Sequence, residues 1–152
     1  MDGLSIQIGE YDSMKIQAIN HLCFSVSDLD KSIEFYQKVF DAKLKVKGRK
    51  LAYFDLNGIW LALNQEDIVR HNGARTYTHI AFTVKDEEFE AVFRKLEVLQ
   101  VDMFSGRPRD ERDKKSIYFV DPDGHMFEFH TGTLDDRLNY YKTDMSHMTF
   151  YE

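Results

Sequence analysis

Asn20-His21-Leu22-Cys23-Phe24-Ser25-Val26 has the alternating pattern of a β-strand. Side chains alternate along a strand, so His21 and Cys23 share one face while the apolar residues share the other. The pattern recurs 58 residues later in Thr78-His79-Ile80-Ala81-Phe82-Thr83-Val84, with His79 in the place of His21. Each stretch runs into an acidic turn and a helical pattern. A histidine at the same place in two halves predicts two strands that meet at one metal ion.

The size and composition of the chain exclude several classes of protein. With 152 residues it has the length of one domain with its own core. A net charge of −6 argues against nucleic acid and anionic membranes as partners. No apolar run is long enough to span a bilayer, and no basic-then-apolar leader is recognisable. The single cysteine, Cys23, excludes an intramolecular disulfide and predicts a cytoplasmic protein.

An internal repeat organises the chain into one domain. Residues 1–13 lack periodicity and are predicted to be a disordered N-terminal extension or a leader, ahead of a domain at 14–152. Repeat one, at 16–64, reads as strand, helix and three strands, and repeat two, at 77–130, has the same order. A short helix and an aromatic tail fill 131–152. Two β-α-β-β-β units paired around a cleft predict an α+β fold.

Local signals set the predicted boundaries. Asn57-Gly58 is the strongest hairpin signal, Asp121-Pro122-Asp123-Gly124 suits a type I turn, and Thr133 suits the N-cap of a last helix, with Asp136 at its third position. Strands are predicted at 16–26, 43–47, 50–56, 59–64, 77–84, 101–104, 116–120 and 125–130, and helices at 29–42, 86–99 and 133–142.

The repeat also predicts a metal site. Aligning Gly58 with Gly124 defines four equivalent positions, and three of them carry metal-ligand side chains: His21, His79 and Glu128. Two imidazoles and one carboxylate leave coordination positions open, as a catalytic divalent metal needs. Each would otherwise be an ordinary strand residue, but an inward carboxylate between two phenylalanines is costly to bury unpaired.

Longer motifs run in order through the chain. They are Ile19-Asn20-His21-Leu22-Cys23-Phe24-Ser25-Val26, Gly58-Ile59-Trp60-Leu61-Ala62-Leu63-Asn64, Tyr77-Thr78-His79-Ile80-Ala81-Phe82, Ser116-Ile117-Tyr118-Phe119, Asp121-Pro122-Asp123-Gly124-His125, Phe127-Glu128-Phe129-His130-Thr131-Gly132-Thr133-Leu134 and Arg137-Leu138-Asn139-Tyr140-Tyr141. Together they resemble the vicinal oxygen chelate superfamily, the glyoxalase and bleomycin resistance fold. Within it they are similar to the FosB family of bacillithiol-dependent metallothiol transferases, which confer fosfomycin resistance. The resemblance covers about 14–151.

The resemblance implies a transferase that opens the epoxide of fosfomycin with bacillithiol or L-cysteine. It implies a divalent cofactor, Mn²⁺ or Mg²⁺, with Ni²⁺ and Zn²⁺ as further ions that the ligands accept. It also implies a homodimer that completes the cleft by exchanging halves between subunits. His21, His79 and Glu128 would hold the metal. Substrate contacts would come from Trp60, Asn64, Tyr77, Arg107, Tyr118 and Arg137. The catalytic set would be Tyr118, Arg137 and Cys23, of which Cys23 lines the same cleft without being the nucleophile.

Plainer interpretations stay open for several of these residues. Trp60 and Tyr118 also fit a hydrophobic core. Cys23 also fits as a small buried apolar residue. Arg107 lies in a polar stretch where most charges are merely solvated, and Arg137 has Asp135 and Asp136 beside it as partners.

Other functions of the same fold remain alternatives. An epoxide hydrolase would need an extra carboxylate base in the strand before the first hairpin, where the nearest acid is Asp55. An Fe(II) dioxygenase also uses two histidines and a carboxylate. A glyoxalase-like isomerase would want a fourth ligand where this chain has Ala62. Drug-sequestering proteins of this fold bind without chemistry and typically lack the metal ligands.

Overall fold

The computed structural model describes residues 15–70 and 75–151. The first repeat contains β1 (His21–Val26), α1 (Leu29–Phe40), β2 (Lys43–Lys47), β3 (Leu51–Leu56) and β4 (Ile59–Gln65). The second contains β5 (Ile80–Thr83), α2 (Phe89–Val98), β6 (Met103–Phe104), β7 (Ser116–Val120) and β8 (Met126–His130). The last helix is α3 (Leu134–Asp144), and short 3₁₀ turns span Asp86–Glu88 and Glu111–Asp113. The predicted extension at 1–13 lies outside the described residues.

The two repeats build two sheets of the same topology. Sheet one has the strand order β1-β4-β3-β2, and sheet two has the order β5-β8-β7-β6. In each sheet the first strand of the repeat runs parallel to the last, while the other pairings are antiparallel. Cys23 lies opposite Ala62 in sheet one, and Ala81 lies opposite Glu128 in sheet two. The predicted α+β fold of two β-α-β-β-β units is therefore confirmed.

Capping and turn residues explain where the elements begin and end. The Asp28 side chain accepts the amide of Lys31 at 3.1 Å and starts α1. Asn57 and Gly58 both have positive φ, 48° and 89°, which suits the two-residue turn between β3 and β4. Thr133 and Asp136 form the predicted capping box at the start of α3.

The strands that open the two repeats are shorter than predicted, and their register gives the reason. His21 pairs with Trp60, and β4 begins only one residue earlier, at the hairpin. Residues 15–20 therefore find no partner, and β1 does not start at residue 16. In the same way Ile80 pairs with Phe127 near the start of β8, so His79 precedes β5 instead of lying inside it.

The core joins the apolar faces of the two sheets. Phe24 on β1 meets Phe127 on β8 with ring centroids 5.4 Å apart, and Phe40 of α1 packs against Phe127 as well. Tyr36 is 1% exposed, and its hydroxyl donates to Asp121 at 2.7 Å. Because side chains alternate along a strand, the opposite faces of both sheets point away from this core. In the part of the chain that the structure describes, no helix has the length and apolar character to cross a membrane.

Candidate metal centre and substrate cleft

His79 and Glu128 form the centre of the candidate site. His79 Nδ1 lies 2.6 Å from the carbonyl oxygen of Tyr77. A carbonyl oxygen only accepts, so Nδ1 carries a hydrogen, and in the neutral imidazole Nε2 then has the lone pair. That nitrogen lies 2.9 Å from Glu128 Oε2. Two electron-rich atoms at this distance repel each other unless a proton or a cation lies between them.

This pair fits a divalent metal ion. Two adjacent octahedral ligands, each about 2.1 Å from an ion such as Mg²⁺, are about 3.0 Å apart. The distance between His79 Nε2 and Glu128 Oε2 is 2.9 Å. Metal-binding histidines usually donate their second ring N–H to a carbonyl or carboxylate oxygen, as His79 does to Tyr77.

The Glu128 carboxylate is held in one orientation by neighbours in sheet two. The side chain is buried, and its Oε1 accepts a hydrogen bond from Ser116 Oγ and one from Arg109 Nη2 at 3.2 Å. Since the single hydroxyl hydrogen of Ser116 goes to Glu128, His130 Nδ1 donates to Ser116 Oγ at 2.7 Å. These contacts leave Oε2 facing His79.

His21 lies on sheet one with its own supporting contacts. Its Nδ1 is 2.7 Å from Asn20 Oδ1, which leaves Nε2 free to bind a metal. The Trp60 ring lies 4.5 Å from the imidazole, centroid to centroid, and is 42% exposed, so Trp60 is not a core residue. Cys23 is exposed on the same face, and Asn64 Nδ2 donates to its Sγ at 3.4 Å.

A single chain does not bring the predicted metal triad together. Within residues 15–70 and 75–151, no three His, Cys, Asp or Glu side chains are grouped closely enough to hold a metal ion. The reason is the packing of the sheets through their apolar faces, Phe24 against Phe127, which turns His21 and Glu128 outward on opposite sides. The side of His21 also carries Trp60, Asn64 and Cys23. The side of Glu128 also carries Tyr77, Tyr118 and the arginines.

Tyr118 is buried, yet it lies on the Glu128 face of sheet two and belongs to the candidate site and not to the hydrophobic core. It is 3% exposed, and its hydroxyl lies 2.7 Å from that of Tyr77 and accepts from Arg109 Nη2 at 2.6 Å. Burial, the hydrogen bond with Tyr77 and the charge of Glu128 together raise the pKa of Tyr118 above its usual value. The side chain is therefore a neutral phenol over the range of pH in which proteins are stable.

The arginines are arranged differently from the simple sequence interpretations. Arg107 is not merely solvated, because its Nη2 donates to Asp113 Oδ1 at 2.9 Å. Arg137 pairs with Asp113 at 3.2 Å and not with Asp135 or Asp136 beside it in the sequence. The guanidinium that reaches Glu128 and Tyr118 belongs to Arg109, which was not among the predicted site residues.

Four residues of this region were missed from sequence: Arg109, Asp113, Ser116 and His130. Loop 105–115 contains several arginines, and nothing in their spacing selects Arg109. Ser116 and His130 could have been predicted from alternation. Ser116 is two residues before Tyr118 on β7, and it pairs with His130, which is two residues after Glu128 on β8. Alternation therefore places Ser116 on the face of Tyr118, and His130 on the face of Glu128.

Asp55 does not offer a free base. Its Oδ1 accepts the amide of Gly58 at 2.7 Å and so closes the turn between β3 and β4. The carboxylate lies at the hairpin, beside Trp60 in register. Activation of water in the manner of an epoxide hydrolase finds no support in this side chain.

Comparison with known proteins identifies the relatives of this chain. A family model described as the Glyoxalase/Bleomycin resistance protein/Dioxygenase superfamily matches residues 18–129. The chain is 63% identical to a metallothiol transferase FosB of Lysinibacillus sphaericus, over 91% of this chain and 99% of that protein. It is 56% identical to a metallothiol transferase FosB of Staphylococcus saprophyticus, over 90% of this chain and 91% of that protein.

A solved structure with the same fold is the fosfomycin resistance protein FosX from Listeria monocytogenes. A variant of that protein, complexed with Mn(II) and 1S,2S-dihydroxypropylphosphonic acid, superposes with a TM-score of 0.75 at 37% identity. The match covers 84% of this chain and 99% of the FosX chain. The sequence-based assignment to the glyoxalase fold is thereby confirmed.

Proposed function

The chain belongs to the Glyoxalase/Bleomycin resistance protein/Dioxygenase superfamily, and we propose that it is a divalent-metal-dependent thiol transferase that opens the epoxide of fosfomycin. Bacillithiol is the proposed thiol, with L-cysteine as a second donor. The metallothiol transferases among its relatives are 50% to 63% identical to it, well above the 37% of the FosX variant whose Mn(II) complex contains a diol. Thiol addition is accordingly favoured over hydrolysis, and the chain is an enzyme of the transferase class.

The observation that carries the proposal is the contact between His79 Nε2 and Glu128 Oε2 at 2.9 Å. Hydrogen bonds fix the orientation of both side chains, and the neutral imidazoles of His79 and His21 each present an Nε2 lone pair. These three residues would hold the metal, for which we propose Mn²⁺ or Mg²⁺, while mixed nitrogen and oxygen ligands also accept Ni²⁺ and Zn²⁺. When bound, such an ion is an electrophile for the epoxide oxygen.

The side chains around Glu128 suit the phosphonate end of the substrate. An open groove of about 600 Å³ is lined by Arg107, Arg109 and Tyr118. Guanidinium groups bind phosphonate-like oxygens through paired N–H donors, and a neutral tyrosine hydroxyl donates one more hydrogen bond. We assign Arg107, Arg137 and Tyr118 to the phosphonate, together with Arg109, which lines the same groove, and with Tyr77 beside Tyr118.

The reaction exchanges one bond for another. The thiol loses its proton, its sulfur forms a bond to an epoxide carbon, and the carbon–oxygen bond breaks. The epoxide oxygen keeps the electron pair of that bond and takes up one proton, so no proton is gained or lost overall. Trp60 and Asn64 would flank the reacting carbons from the side of His21. Cys23 lines this part of the cleft and is not the nucleophile, because the external thiol supplies the sulfur. Replacement of Cys23 by alanine should therefore leave the product unchanged.

A homodimer would complete the site. The ligand faces of one chain point in opposite directions, so His21 of one copy and the His79–Glu128 pair of another must meet for three ligands to bind one ion. Oligomers of this kind are usually symmetric, which gives two equal sites. We propose such a dimer, free in the cytoplasm and without a nucleic-acid or membrane partner, in keeping with an exposed free cysteine and a net charge of −6.

Subunit complementation tests the shared site. His21→Ala and Glu128→Gln should each be inactive alone. After the two variants are unfolded together and refolded, a mixed dimer contains one site with both substitutions and one intact site. Half of the dimers are mixed, so about a quarter of the wild-type activity should return. No recovery in verified mixed dimers would show that the ligands come from one chain.

A product assay tests the activity itself. The protein would be incubated with fosfomycin and Mn²⁺, in parallel with bacillithiol, cysteine, glutathione and no thiol, and followed by ³¹P NMR and mass spectrometry. A bacillithiol adduct that forms fastest and disappears with EDTA is the expected result. A diol formed without thiol would establish hydrolysis instead. Binding of fosfomycin without any product, unchanged by Glu128→Gln, would indicate sequestration.

A further inference from the structure

Asp113 is a buried carboxylate with an unusual number of cationic neighbours. It ends the 3₁₀ turn of loop 105–115, and its side chain is 2% exposed. Oδ1 accepts from Arg107 Nη2 at 2.9 Å and lies 3.2 Å from Arg137 Nη1. Oδ2 accepts the amide of Asp110 at 3.0 Å. A buried carboxylate is tolerated only when it is paired in this way.

The backbone carbonyl of Asp113 collects two more guanidinium contacts. It accepts from Arg137 Nη2 at 3.2 Å and from Arg109 Nη1 at 3.5 Å. Three arginines thus converge on one residue, although two come from loop 105–115 and one comes from α3. Asp113, together with Glu128 beside Arg109, supplies two carboxylates for these three guanidinium groups, so the cluster keeps one net positive charge beside Tyr118.

The carboxylate is charged in the folded protein. Burial acts to raise the pKa of Asp113, but the hydrogen bonds from Arg107 and Asp110 and the charge of Arg137 hold it below its usual value. The same hydrogen bond raises the pKa of Arg107. Asp113 is therefore a fixed anion at the point where the loop and α3 meet.

Free arginine side chains sample many rotamers, and ordering them when a ligand binds weakens the affinity. Arg107 is 41% exposed and Arg137 is 25% exposed, so packing alone does not fix them. The contacts with Asp113 order both groups before any ligand arrives. Each guanidinium has five N–H donors and gives only two or three of them to protein partners, so donors remain for an anion.

We propose that Asp113 is a positioning residue that holds Arg107, Arg109 and Arg137 as a preformed receptor for the phosphonate group of the substrate. The inference rests on the proposed function for the identity of the substrate. It concerns a residue that touches no substrate itself and acts through the three arginines. The opposite arrangement, in which Asp113 competes with the ligand for the arginines, predicts tighter anion binding when the charge is removed.

The test compares Asp113→Asn with wild type in the Mn²⁺-loaded protein, using methylphosphonate as the probe. Loss of one charged hydrogen-bonding partner should weaken methylphosphonate binding by about tenfold or more, measured by isothermal titration calorimetry. The KM for fosfomycin should rise by a similar factor while kcat changes less, because positioning affects ground state and transition state alike. Unchanged or tighter methylphosphonate binding in Asp113→Asn would overturn the proposal.

Asp144→Asn is the matched control. Asp144 also joins loop 105–115 to α3, through Arg112 at 2.6 Å, but it contacts none of the three arginines. The affinity of the Asp144→Asn variant for methylphosphonate should stay within about twofold of the wild-type affinity. An equal loss in both variants would mean that Asp113 merely fastens the loop to the helix.

A mutant cycle keeps the proposal falsifiable if Asp113→Asn does not fold. Arg107→Ala and Arg137→Ala alter more exposed side chains, and their effects on methylphosphonate binding should be coupled by at least about twofold because both groups share Asp113. Strictly additive effects would refute the shared anchor. These binding experiments do not depend on turnover. A wild-type protein that binds methylphosphonate but leaves fosfomycin intact would overturn the proposed function. The binding measurements on the variants would still decide the role of Asp113.

Discussion

Removal of the Ser116 hydroxyl should weaken metal binding without touching a ligand. Ser116 Oγ donates to Glu128 Oε1, and Arg109 is the second donor to that oxygen. The two donors fix the plane of the carboxylate so that Oε2 faces His79. Ser116→Ala deletes one of them and also removes the acceptor of His130 Nδ1.

The structure sets the size of the expected effect. Loss of a partner that orients a metal ligand typically costs tenfold to a hundredfold in affinity, or about 1.4 to 2.7 kcal/mol. Arg109 still holds Glu128 in the variant, so the effect should lie near the lower end, at about tenfold. The variant should also unfold more easily by about 1 to 2 kcal/mol, because two hydrogen bonds at a buried carboxylate and its neighbour are lost.

The assay is a titration with Mn²⁺ followed by the electron paramagnetic resonance of the free ion, beside urea unfolding of the metal-free protein. Ser32→Ala is the control, since Ser32 is fully buried in α1 and its Oγ has no hydrogen-bond partner among the described residues. It should bind Mn²⁺ like wild type. Ser116→Thr restores a hydroxyl and should recover part of the affinity. Wild-type Mn²⁺ affinity in Ser116→Ala would refute the orienting role.

Three further predictions follow from single contacts. In Gly106→Ala, the added Cβ would lie 2.3 Å from the buried Tyr118 ring, so the free energy of unfolding measured in urea should fall by about 1 to 3 kcal/mol. Gly48→Ala is the control and should be near neutral, because its Cβ would lie 3.4 Å from the nearest atom, in the Leu51 side chain. Tyr118→Phe should lower the free energy of unfolding by about 1 to 3 kcal/mol in the same experiment, because the Tyr77 hydroxyl and the Arg109 guanidinium each lose a hydrogen-bond partner. A free energy of unfolding equal to that of wild type would contradict these hydrogen bonds. Hydrogen bonds from Arg112 lower the pKa of Asp110 from 3.8 to about 2, so its contribution to stability is present above pH 3.8 and is lost as the pH falls toward 2. Arg112→Ala removes the guanidinium but keeps the backbone amide that donates to Asp110 at 2.9 Å, so the pKa of Asp110 followed by NMR should rise only part of the way from about 2 toward 3.8. A value that stays near 2 would contradict the pairing.

The fold was readable from sequence because its signals are local and occur twice. Alternation around His21 and His79 marks two equivalent strands, and Asn57-Gly58 has the backbone that its turn requires. The capping pair Thr133 and Asp136 lies where the pattern predicts. The predicted starts of β1 and β5 were less accurate. Each strand begins only where its partner strand begins, and that partner lies dozens of residues away in the sequence.

The site was only partly readable because its polar contacts are not local. The family resemblance implied that Tyr118 lies near Glu128, and the register of β7 and β8 pairs the two residues. Alternation alone left Tyr118 open as a core residue. It did not select Arg109 over Arg107, since both lie in an irregular loop where spacing carries no periodic information. The loop takes its shape from Asp113, whose partners include Arg137 from a different element.

Sequence symmetry also did not reveal which faces meet. Equivalent positions in two repeats suggest ligands that converge, but Phe24 and Phe127 show that the repeats of one chain pack through their apolar faces. The faces that carry the metal ligands are therefore open to solvent in one chain, where Trp60 is 42% exposed. A second copy of the chain would cover these faces and would also supply the third ligand to the ion. If the ion binds between two chains, its binding free energy also stabilises the dimer, and metal affinity and subunit association become linked quantities.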